Sequence, residues 1–84
     1  MIDVLKTASE ELKKKIVTEL WKTESKNIKI TSDNDIDGIA ECLLKIDNEH
    51  YWVGFVWTSD LGILDDSIVH INKLVKLSDY SVIK

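Results

Sequence analysis

The chain contains no proline, no glutamine and no arginine, only three glycines and a single cysteine among its 84 residues. Each scarcity excludes something. A lone Cys42 cannot close an internal disulfide, which points to a reducing, cytoplasmic setting. All eleven basic residues are lysines, so the planar fork that grips phosphates and guanine edges is missing, which argues against a specific nucleic-acid reader. Gly38, Gly54 and Gly62 stand alone, so no glycine-rich loop can cradle a phosphate. The longest uncharged run, Tyr51 to Ser59, falls far short of the ~20 residues of a membrane helix. No apolar stretch follows Met1-Ile2-Asp3 to serve as a signal peptide. The bias towards Lys, Ile and Asp without Arg fits an AT-rich bacterial or phage coding region.

What is there describes a single globular domain over residues 1–84. A hydrophobic fraction of 44% beside 31% charged residues is too apolar for a disordered tail. The formal charge of −4 is unevenly spread. Residues 1–26 sum to +1, residues 27–66 to −7 and residues 67–84 to +2.

Leu5, Ala8, Leu12, Ile16 and Leu20 recur at three- and four-residue spacing, predicting an amphipathic helix. Val17 and Trp21 widen its stripe. Asp3 is a cap for a start near Val4, and Thr7 with Glu10 makes a capping-box pattern for a later one. The stripe stops near Lys22 to Asn27. From there the period falls to two. Residues 27–31 alternate as a half-exposed strand, Ser32 to Gly38 reads as a turn, and Ile39 to Asp47 is a second strand. Its Ala40, Cys42, Leu44 and Ile46 share one face, and Ile39, Glu41, Leu43 and Lys45 the other. After a turn at Asp47 to His50, Tyr51 to Thr58 is apolar on both faces, as a central strand covered on two sides would be. Gly54 inside it predicts a bulge, a bend or a close approach by another backbone.

Residues 63–77 are ambiguous. Leu61, Leu64, Ile68, Ile71 and Val75 fit a helix, while Val69 to Ile71 and Val75 to Leu77 fit two short strands, with Tyr80 to Ile83 as a closing edge strand. β-Branching favours strands. The expected fold is α+β, with an N-terminal amphipathic helix packed on a bent antiparallel sheet of three to five strands, small-barrel-like in plan.

Several constellations suggest chemistry. Asp33-Asn34-Asp35-Ile36-Asp37-Gly38 matches the first half of a calcium loop, and Glu41 could add an oxygen. The twelfth position is Leu44 where a bidentate Glu belongs, and the flanks read as strands. A solvated hairpin turn explains the same residues. His50, His70 and Cys42 have no metal-ligand spacing. Cys42 sits on the apolar face of its strand, so a core thiol is the expectation. No nucleophile elbow is present, and neither an enzyme nor a cofactor is expected.

Tyr51, Trp52, Phe55 and Trp57 could stack bases in a small β-barrel nucleic-acid binder, but the segment bearing them carries the −7. The remaining reading is a non-catalytic protein-interaction or self-associating module, of phage or mobile-element character. Trp52 and Trp57 would supply an aromatic patch, and Asp33, Asp35, Asp37, Asp65 and Asp66 an acidic rim that steers a partner protein. A homodimer fits a short chain with an apolar strand to cover.

Overall fold

A computed structural model describes residues 1–33, 37–58 and 62–83, with side chains for all of these except 25, 31–33, 37, 58, 62–66 and 82–83. In chain order the elements are β1 (Ile2–Asp3), α1 (Glu10–Lys22), a 3-10 turn (Ser25–Asn27), β2 (Lys29–Asp33), β3 (Asp37–Ile46), β4 (Glu49–Thr58), β5 (Gly62–Leu74) and α2 (Leu77–Ile83). The strands form one antiparallel sheet in the order β1-β5-β4-β3-β2. It is bent and does not close. The arrangement is α+β, as the sequence predicts.

α1 starts later than Asp3 or Thr7 would place it. Ser9 is the N-cap, its hydroxyl accepting the Leu12 N–H at 3.1 Å, with Glu10 and Glu11 in the first turn. Asp3 instead accepts the Leu5 N–H at 3.0 Å and holds the preceding turn. Ile16 and Leu20 are buried on the sheet, and Leu12 packs beside them. Trp21 does not join that stripe: it is 60% exposed, because four-residue spacing alone already fills the narrow contact line.

β3 and β4 pair over their whole length across the Asp47-Asn48 turn. Both turn residues have positive φ, 51° and 69°, which matches a hairpin connection to the right-handed strand twist. Lys15 reaches Asp47 at 2.7 Å, tying α1 to this turn. Ala40, Cys42, Leu44 and Ile46 meet Tyr51, Val53, Phe55 and Ile71 under α1 to form the core. Phe55, Val53 and Ile71 are wholly buried.

The ambiguous C-terminal stretch is one 13-residue strand, not two short strands. Val75 to Leu77 leaves the sheet, and Tyr80 to Ile83 is helical in α2, not an edge strand. The register skips Val69, because Gly54 pairs with His70 while Phe55 pairs with Ile68. The extra residue of this bulge turns Ile68 and Ile71, three apart, towards the same core. β1, which its two residues could not announce, pairs with Asn72 and Lys73. None of the described helices is long and apolar enough to cross a membrane.

Candidate functional site

One face of the sheet is filled by α1 and the core. The pleat sends the alternate residues to the other side, where α2 stands at one end and no other described helix packs. Reading across the strands, one row holds Leu43, Trp52 and Asn72, with Asp3 at the β1 edge. The next holds Lys29, Glu41, Gly54 and His70. Ile39 and Val56 form the row beyond, and Lys45, His50 and Leu74 the row towards α2. Ile39, Leu43, Trp52, Val56 and Leu74 are all half-buried.

A hydrogen-bonded chain runs across the middle of this open face. The Trp52 Nε1–H donates to Glu41 Oε2 at 2.7 Å, and the same oxygen lies 2.9 Å from His70 Nε2. The Asn72 amide nitrogen lies 2.9 Å from His70 Nδ1. That orientation makes Nδ1 an acceptor and Nε2–H a donor to Glu41. Both ring nitrogens are thereby engaged, so the imidazole has no second nitrogen to offer a substrate. The ring lies directly over Gly54, where a Cβ would collide with its Nε2 and Cδ2. Of the alternatives expected at Gly54, a bulge is present, the register shifting between Gly54 and Phe55, and the close approach is made by a side chain, not a backbone.

At the α2 end, Leu43, His50 and Leu74 continue into a groove of about 450 Å³ whose other wall includes Leu77 and Tyr80. Leu77 is 97% exposed. The open face and the groove are one continuous surface.

Of the residues singled out in the sequence, Trp52 lies at the centre of the open face, whereas Trp57 packs against the core on the opposite side. The two tryptophans do not share a patch. Asp35 lies outside the described residues. The side chains of Asp33, Asp37, Asp65 and Asp66 also lie outside them, although their strands are described. The β2–β3 and β4–β5 connections do fall at the same end of the sheet, since Asp33 pairs with Gly38, Asp37 with Thr58 and Thr58 with Gly62. Glu41, the fourth calcium candidate, turns its carboxylate to Trp52 and His70. Among the described residues no group of three or more His, Cys, Asp or Glu could hold a metal. Cys42 is 1% exposed in the core, and burial pushes its thiol up to about 11.

Sequence reasoning missed His70, Asn72 and the joined open face. One signal was present: His70 and Asn72 are two apart, so a strand assignment for residues 69–73 puts them on one face. No family model, curated protein or solved structure matches the chain.

Proposed function

We propose that this chain is a non-catalytic protein-interaction module that docks through the open face of its sheet. The observation that carries this reading is the half-buried Trp52, set between Leu43, Val56 and Leu74 on a face that no described helix covers except at one end. Tryptophan supplies large contact area at small entropic cost, and a patch of this kind marks an interaction surface. Its indole N–H is already satisfied by Glu41, so a partner can cover the ring without stranding a donor. Acids of the 27–66 segment, Asp33, Asp35, Asp37, Asp65 and Asp66, would speed the approach of a basic partner.

The test is affinity capture with the tagged chain and its Val56→Lys variant at about 0.1 and about 0.5 M salt, conditions that shorten electrostatic reach. Proteins held by the parent chain, released by the added lysine and weakened by salt are the expected result. A captured set that is identical for both baits would remove the open face as the docking surface.

A further inference from the structure

On the reading of the open face as a docking surface, we infer that its occupant is a second copy of this chain, packed face to face about a two-fold axis parallel to the strands. Three features converge on this occupant.

The first is area. Four rows of side chains about 7 Å apart, on strands about 4.8 Å apart, give roughly 500 Å² per copy and about 1,000 Å² for a pair. That is the lower bound for a specific interface, about 1,000 Å², the size class of weak and transient contacts.

The second is polar satisfaction. Glu41, Trp52, His70 and Asn72 bond one another within the face, so covering them with apolar surface strands neither the Trp52 N–H nor the two His70 ring nitrogens. Lys29 stands directly across the ladder from Glu41 and offsets its charge locally.

The third is charge placement. A two-fold axis along the strands lays the β2 side of one copy over the β1 side of the other. Lys29 lies on the first side and Asp3 on the second, both exposed and one row apart. Each copy thereby offers its lysine to its partner's aspartate, twice per dimer, as an isologous contact requires. A basic protein of another kind would match the acidic segment but would meet Lys29 and Lys45 on this face.

Sedimentation equilibrium over about 10 µM to about 1 mM tests the inference across the affinity range expected for so small an interface. The parent chain is expected to dimerise with concentration. Val56→Lys should abolish the dimer. Lys29→Glu sets a second carboxylate across the ladder from Glu41, so its fold is checked by circular dichroism; it should weaken the dimer several-fold, and adding Asp3→Lys to that variant should restore most of the loss. Trp21→Asp, at an exposed position of α1 on the other side of the sheet, should leave the dimer unchanged. A chain that stays monomeric throughout overturns the second-copy inference. So does a dimer dissolved by Trp21→Asp but indifferent to Val56→Lys. Monomeric behaviour together with capture of a foreign protein that Val56→Lys releases would leave the docking surface standing with a different occupant.

Discussion

On the side where His70 lies, Gly54 has space for a hydrogen and nothing larger. The imidazole cannot swing aside freely, because Glu41 and Asn72 hold its two nitrogens. Gly54→Ala is expected to cost about 1–3 kcal/mol, the range for overpacking a filled site. The obstacle is the ring, so His70→Ala should relieve most of that cost. Urea unfolding of both single variants and the double variant would then show a favourable coupling of about 1 kcal/mol or more; simple additivity would locate the strain in the backbone instead. Cys42 is the other residue with a sharp expectation. Its folded pKa, about 11, lies above the ordinary thiol value. The neutral thiol's contribution is therefore complete below the unfolded pKa and is lost as pH rises through about 11. At about pH 8, iodoacetamide should spare the native chain and label Cys42 in urea, read by mass spectrometry. Labelling at equal rates in both would contradict a buried thiol.

At the scale of elements, α2 is secured at its start by one carboxylate. Asp79 Oδ2 accepts the Val75 N–H at 2.9 Å and the Lys76 N–H at 3.2 Å, and lies 3.0 Å from the Met1 amino group. This is the acidic half of a capping box. The backbone bond from Val75, then the ammonium and the bond from Lys76, hold its carboxyl at about 2. With the folded pKa below the unfolded one, the contribution is present above about pH 4 and lost as pH falls through about 2. NMR shifts of residues 77–80 should lose their helical character over that interval, and Asp79→Asn should show the loss already at neutral pH with the sheet intact. Shifts that are unchanged in the variant would assign the helix start to something else. The same end of the chain explains why the sequence was hard to read there. The bulge at Val69 puts Ile68 and Ile71 on one side of β5, and three-residue spacing imitates a helix turn. The β3–β4 hairpin had no such interruption, so its alternation and its turn were legible from period two alone.

For the whole molecule, the α+β plan, the core face and α1 could be read from periodicity. The β1–β5 pairing could not, because it joins residues some 70 positions apart and two residues carry no pattern. The open face was visible only in halves: Glu41 and Leu43 shared one strand's mixed face, and Trp52 lay on a strand that reads as apolar on both faces. The register of β5 supplies the missing third, His70 and Asn72. The rims of the sheet have a consequence for how copies of the chain can add up. The ladder of β2 skips Thr31 and that of β5 skips Val69, while β1 covers only two residues of β5. A strand from another molecule laid on either rim falls out of step within a few residues, which blunts edge-to-edge growth. Contact through the face, by comparison, uses up the whole face at once. The rims of the sheet are thus built against seeding an open-ended fibre.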